Sequence, residues 1–254
     1  MDVYWLEQTE ADVPPDDDWL SASEMACLNA MRFPKRRSDW RLGRWTAKYA
    51  MSAFLNVPND NQVLAKIEIR PATSGAPEVF IANRPAGASI SLSHRSGTAL
   101  CAIADPGPAL GCDLELVEPR SEAFIADYFT AEERAFVTKA SAVDQSTLVT
   151  LLWSAKESAL KVLHEGLRLD TRTLAVSLPE PIPFSAQNDS HEESLDAAVQ
   201  FQSDVWRPLR VGCANGPTFH GWWRRMGELM RTVVAAAPAA PPASLHQPHS
   251  RVSG

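Results

Sequence analysis

The sequence predicts an α+β fold in two halves, each combining helices with short antiparallel strands. Three observations carry this expectation. Two capping boxes of the Ser/Thr-x-x-Glu form, Ser21 with Glu24 and Thr130 with Glu133, each open a short helix. Short segments of alternating apolar and polar residues recur through both halves, as half-buried strands require. Between them, Asp105-Pro106-Gly107-Pro108 breaks the chain near its middle.

Taken in order, the elements follow from local chemistry. The acidic start, with Glu7, Glu10, Asp12, Asp16, Asp17 and Asp18, precedes a helix over about 21–31 that ends at or before Pro34. A second helix covers 38–55 and closes before Pro58. Strands are expected over 63–69, 78–81, 89–94 and 99–104, with Thr73-Ser74-Gly75-Ala76-Pro77 as a loop. After the break, 109–117 alternates clearly. Leu110, Cys112, Leu114 and Leu116 share one face, expected to be core, and Gly111, Asp113, Glu115 and Val117 share the other. Helices follow over 131–140 and 146–164, the second stopping at Gly166. Strands over 173–178 and 198–202 flank a polar, Pro-bearing loop at 179–196. The stretch 219–234, with Gly221 and Gly227, reads as a hairpin, and the Ala/Pro-rich segment 235–254 as a disordered tail. The expected division is 1–106, 107–234 and the tail.

Composition narrows the class. The 254 residues include 24 Lys+Arg and 31 Asp+Glu, a net charge of −7 that argues against nucleic acid as a partner. No apolar run is long enough to span a membrane, and the acidic N-terminus lacks the basic and apolar regions of a signal peptide. Cys27, Cys101, Cys112 and Cys213 form no C-x-x-C pair, so they read as reduced thiols of a cytoplasmic protein. The average charge conceals an uneven distribution. Residues 32–48 hold seven cations and one acid, a net +6, leaving −13 for the rest.

Within that basic segment Arg37, Arg41, Arg44 and Lys48 fall 4, 3 and 4 apart, on one helical face. Stacked cations repel unless an anion lies over them, and the arginine fork suits phosphate. A solvated face neutralised by the acidic N-terminal segment is the alternative. Asp113 and Glu115, two apart on a strand, share a face, where a divalent hard cation relieves their repulsion; a half-exposed strand with solvated acids is the alternative. Glu157 and Lys161 are i,i+4 on a helix, either a surface pair or a third carboxylate beside a phosphate-facing ammonium. Ser93 and His94 end a strand. Adjacent residues there point to opposite faces, which disfavours a nucleophile–base pair. Contacts to phosphate suit both better, although a lone histidine is by default structural.

Together, Gly111-Cys112-Asp113-Leu114-Glu115, Trp153-Ser154-Ala155-Lys156-Glu157-Ser158-Ala159-Leu160-Lys161 and Ser91-Leu92-Ser93-His94 resemble the phosphopantetheinyl transferases of the surfactin-synthetase-activating type. That family's hallmarks are a G-x-D-x-E strand and, about forty residues on, a W-S-x-K-E-x-x-x-K helix. The likeness spans roughly residues 30–175. It implies two similar α+β subdomains in a pseudo-twofold arrangement with a ligand cleft between them. It further implies Mg²⁺-dependent transfer of 4′-phosphopantetheine from coenzyme A to a serine of an acyl carrier protein, or of a carrier domain of a polyketide or nonribosomal peptide synthetase. Adenosine 3′,5′-bisphosphate would be released.

By the same resemblance Asp113, Glu115 and Glu157 are the metal ligands, Glu157 is also the candidate base, and Lys161 contacts the transferred phosphate. Ser93 and His94 bind coenzyme A phosphates, Arg37, Arg44 and Lys48 lie near its 3′-phosphate, and Lys156 belongs to the motif and is counted with Lys161 among the coenzyme A-binding residues. The protein is expected to be a monomer, since each half can supply one side of a cleft. Many members carry G-K-P before the Ser-His strand; here Gly75-Ala76-Pro77 stands instead, so that phosphate contact is absent or supplied by Arg95 or Arg84. Two other readings remain: a coenzyme A- or nucleotide-binding module without transfer, and a partner-binding protein using its basic helix.

Overall fold

The computed structural model describes residues 1–179 and 205–245. They form two compact units, one of Met1–Pro108 with the described residues from Pro242 onward, the other Ala109–Pro241. The division falls at the Pro-Gly-Pro break, two residues beyond the expected boundary.

The first unit opens with β1 (Val3–Thr9), a strand that the acidic character of the N-terminus obscures in the sequence; Val3, Leu6 and Gln8 point inward. Helix α1 (Ala22–Ala30) carries the expected capping box, with Ser21 N donating to Glu24 Oε2 at 3.0 Å and Glu24 N to Ser21 Oγ at 3.3 Å. Helix α2 (Pro34–Phe54) begins earlier than expected. Pro34 starts it rather than ending the helix before, because the first helical position needs no N–H donor. The expected strand over 63–69 divides into a single helical turn, α3 (Asn61–Leu64), capped by Asp60, and β2 (Ile67–Pro71). Then come β3 (Pro77–Ile81), β4 (Arg84–Pro85), β5 (Ser89–Arg95) and β6 (Thr98–Ala104). The strand β6 lies between β1 and β5, and β2-β3-β4 form a second antiparallel sheet. The apolar core gathers Trp19, Leu28, Trp45, Met51, Ile67 and Ile103, with the Trp19 and Trp45 rings edge to face at 5.0 Å.

The second unit runs β7 (Leu110–Leu116), α4 (Glu122–Tyr128), α5 (Ala131–Val137), α6 (Ala142–Leu163), β8 (Leu174–Ser177), β9 (Arg207–Cys213), β10 (Thr218–Met226) and β11 (Leu229–Ala235). Its strands make one antiparallel sheet in the order β7-β11-β10-β9-β8. The expected hairpin is β10–β11, turning through Gly227 at φ +56°. Helix α6 lies across the sheet, packing Leu148, Leu152, Ala155 and Ala159 in one core with Trp223, Met230 and Val234. It ends with His164 in the left-handed region, two residues before the expected stop. The helix α4 and the strand β9 were not anticipated.

Finally β12 (Ala243–Ser244) pairs in parallel with β1, Tyr4 opposite Ala243 and Trp5 opposite Ser244. The segment from 235 is therefore not wholly a tail: Ala235 ends β11 and residues 243–244 form a strand. Residues 246–254, the expected strand over 198–202 and the expected loop from 180 to 196 lie outside the described residues.

Each unit contains the same buried device. In the first, Lys48 on α2 is wholly buried. Its Nζ lies 2.6 Å from Glu24 Oε2 and donates to the carbonyls of Trp19 (3.0 Å) and Leu64 (2.9 Å). Glu24 Oε1 accepts from Ile69 N on β2 at 3.1 Å. In the second, Lys156 on α6 is likewise buried. Its Nζ lies 2.7 Å from Glu133 Oε2 and donates to the carbonyls of Tyr128 (3.0 Å) and Thr171 (2.9 Å). Glu133 Oε1 accepts from Val176 N on β8 at 2.8 Å. Each carboxylate is the glutamate of a capping box, so it ties a helix start, a long helix and a strand together. Burial lowers the pKa of both lysines, and the facing glutamates oppose that shift. Removing one partner of such a pair leaves a buried charge and costs about 3–5 kcal/mol. Glu24→Ala and Glu133→Ala should each lower unfolding stability in urea by about that much. Glu133→Leu combined with Lys156→Met should cost less than either single change; a double variant at least as unstable as Glu133→Ala would show that the stranded charge is not the cause.

Candidate active site on β7 and α6

The site begins with a glycine. A Cβ built on Gly111 would fall 1.9 Å from the carbonyl oxygen of Ser158 and 3.1 Å from the Lys161 Cβ, so only glycine lets α6 pass this close to β7. A seam of small polar residues continues the contact. The Thr232 hydroxyl on β11 lies 2.9 Å from the Ser154 hydroxyl and 2.7 Å from that of Ser158. Thr232 is in turn the register partner of Asp113.

The consequence is that the acidic face of β7 lies under α6. Asp113 is only 5% exposed, which excludes the solvated-acid alternative for it. Lys161 donates to the Cys112 carbonyl at 2.7 Å and to Asp113 Oδ1 at 3.0 Å, so its ammonium faces the strand rather than making a surface pair along the helix. Burial opposes the charge on Lys161, yet Asp113, Cys112 and Glu157 outweigh it and the pKa lies above the ordinary value. Glu157, half-buried on α6, has its pKa pushed up to about 7, first by burial, then by the charge of Asp113, with Glu115 adding to it and Lys161 opposing. Glu115 is held at both oxygens: the Trp153 indole donates to Oε1 at 3.2 Å and Arg120 to Oε2 at 3.3 Å.

Among the described residues, no group of three His, Cys, Asp or Glu side chains stands as a ready metal cluster. The donor chemistry nevertheless fits a hard divalent cation. Three carboxylates come from two adjoining elements, and the acidity of one answers to the charge of the other two.

The remaining expected residues divide. Lys156 and Lys48 are committed to their buried glutamates, and as placed neither presents an ammonium to a ligand. This departs from the sequence expectation, because the interior halves of α2 and α6 carry these lysines into the core. Arg37 donates to the Leu28 carbonyl. Arg41 pairs with Asp17 at 2.7 Å, so part of the basic face is indeed neutralised by the acidic N-terminal segment. Arg44 lies 3.9 Å from Glu24 and stacks over the Trp40 ring at 4.7 Å. Arg44 and His94, with Phe33, Lys35, Arg36 and Trp40, line a cavity of about 530 Å³ within the first unit. Ser93 is half-buried on β5 and does not line that cavity.

Sequence reasoning missed Arg120, Trp40 and the holding role of Trp153. It had a signal for the buried pairs: in each half a capping-box glutamate precedes a helix with a lysine in its apolar stretch.

Residues 109–214 match the family model of the 4′-phosphopantetheinyl transferase superfamily. The resemblance carried by the strand and helix motifs thus holds over this transferase-like segment, which contains β7, α6 and all four of Asp113, Glu115, Glu157 and Lys161. The chain matches no curated protein. No helix among the described residues is long and apolar enough to cross a membrane.

Gly111→Ala should force α6 away from β7 in this segment, with a stability loss of about 1–3 kcal/mol by urea unfolding, as overpacking costs. Unchanged stability would mean that the helix shifts freely and that the glycine is not what sets the approach.

Proposed function

We propose that the protein is a 4′-phosphopantetheinyl transferase of the surfactin-synthetase-activating type, acting in the cytoplasm on a carrier protein with coenzyme A as donor. One observation carries this reading: within the family-matched segment, the two separated motifs meet as Asp113, Glu115, Glu157 and Lys161 on adjoining faces of β7 and α6. The carrier serine oxygen attacks the pantetheine-bearing phosphorus of the coenzyme A pyrophosphate. The new P–O bond forms as the bond to adenosine 3′,5′-bisphosphate breaks. Glu157 takes the serine proton, and the bisphosphate leaves with the electron pair.

Lys161, held in place by the Cys112 carbonyl, sets a positive charge beside the transferred phosphate. Asp113, Glu115 and Glu157 would hold Mg²⁺, which supplies neutralisation of the pyrophosphate charge. Arg44 and His94, on the cavity of the first unit, remain the best-supported coenzyme A phosphate contacts of the expected set. Arg37 and Ser93 are secondary candidates.

Incubation with coenzyme A, Mg²⁺ and an apo carrier should add one phosphopantetheine to the carrier by mass spectrometry. Chelation of the metal and Asp113→Ala should each abolish the gain. No gain with fatty-acid, polyketide and peptide-synthetase carriers, alongside measurable coenzyme A binding, would favour a binding module without transfer. Glu157→Gln should lower turnover at least a hundredfold, as loss of a general base does; full turnover would remove Glu157 from that role.

A further inference from the structure

Glu115 stands apart from the other two acids in what holds it. The Arg120 Nη2 that donates to Glu115 Oε2 at 3.3 Å also lies 3.2 Å from Glu118 Oε1, and the guanidinium sits over the Phe124 ring at 5.3 Å. Its Nε, though buried, has no hydrogen-bond partner among the described residues, so the group is anchored through one end only. The other Glu115 oxygen is fixed independently by the Trp153 indole. That indole is itself wedged between Phe124 and Tyr128, each with its ring centroid 5.0 Å away. One carboxylate of the candidate metal site therefore has a neutral donor on one oxygen and a full positive charge on the other.

We infer that Arg120 is a resident counter-cation of the metal site, competing with the divalent ion for Glu115 and so setting its affinity. The inference rests on the metal reading of Asp113, Glu115 and Glu157. Two effects oppose each other. The guanidinium orients Glu115, which favours binding; its charge repels an incoming dication and must be displaced or endured, which disfavours it. Orientation survives without Arg120, because the Trp153 N–H still fixes Oε1. The repulsion goes with the guanidinium, since that group carries the positive charge at Oε2. Competition is the larger effect. Arg120 is thus a positioning and affinity-setting residue with no contact to reacting atoms assigned to it.

The test measures Mn²⁺ and Mg²⁺ binding to the full chain by calorimetry, without coenzyme A or carrier, so that it is independent of transfer. Arg120→Met should bind either ion about tenfold more tightly than the unsubstituted protein, and Arg120→Lys, which keeps the charge, should stay within about twofold of it. Trp153→Phe, which keeps the ring packing but loses the donor, should bind more weakly. Circular dichroism and urea unfolding establish that each variant is folded; Arg120→Met removes the charge facing Glu115 and Glu118, so it should keep the parent's circular dichroism while unfolding at a lower urea concentration. Binding that is lost in Asp113→Ala but unchanged or weaker in Arg120→Met overturns the role of Arg120 and leaves the metal reading standing. An unsubstituted protein that binds neither ion overturns both. Tighter binding in both Arg120→Met and Arg120→Lys would also overturn the proposal, because charge would not be the cause.

Discussion

The site depends on the approach of α6 to β7 at Gly111. A side chain of any size there would meet the Ser158 carbonyl. Small residues on the facing turn of the helix, Ser154, Ala155, Ser158 and Ala159, extend the contact without filling the gap. That approach brings a carboxylate from the helix under the influence of two on the strand. The cost is visible in Glu157, whose ionisation is suppressed by burial and by the charge of its neighbours. A cluster under such repulsion is stable only with positive charge close by, and Lys161 and Arg120 provide it within the protein itself.

Positive charge elsewhere in the chain is used differently along a single helix. The four cations of α2 fall on the face that their spacing implies, and that face runs from half-exposed positions at Arg37, Arg41 and Arg44 to the core at Lys48. Lys48 is consumed by Glu24, Arg41 by Asp17, and Arg37 by a backbone carbonyl. Around Arg44, near Lys35 and Arg36, the helix instead offers charge beside an open cavity. A net charge of +6 over residues 32–48 thus describes two populations, one drawn into contacts with other segments of the unit and one lining the cavity, where Lys35 faces Asp39.

Most of the fold was legible where local chemistry decides it. Capping boxes at Ser21 and Thr130, alternation in β7 and the long apolar stripe of α6 all correspond to observed elements. Elements whose existence depends on distant partners were harder to see. β1 is polar enough to read as an acidic leader, and it is a strand because β6, far along the chain, pairs with all of it. Pro34 could end one helix or start the next, and only the packing of α2 chooses. In the site, the carboxylates and Lys161 were readable because their types and spacing are themselves the signal. Arg120 was not, because an arginine beside a proline in a connecting segment carries no periodicity. Lys156 was misjudged for the opposite reason: it stands in a chemically suggestive motif, yet its neighbours send it inward to Glu133.

The parallel pairing of β12 with β1 makes the first unit discontinuous in sequence, since its edge is completed by residues that follow the entire second unit. During synthesis, β1 must therefore wait through about 230 intervening residues, the whole of Ala109–Pro241 among them, before the segment that pairs with Tyr4 and Trp5 on its outer edge exists. An unpaired strand edge is a template for unwanted pairing with other chains. The order of events on the ribosome thus favours completion of the second unit first, with the first unit sealed only as Ala243 and Ser244 emerge.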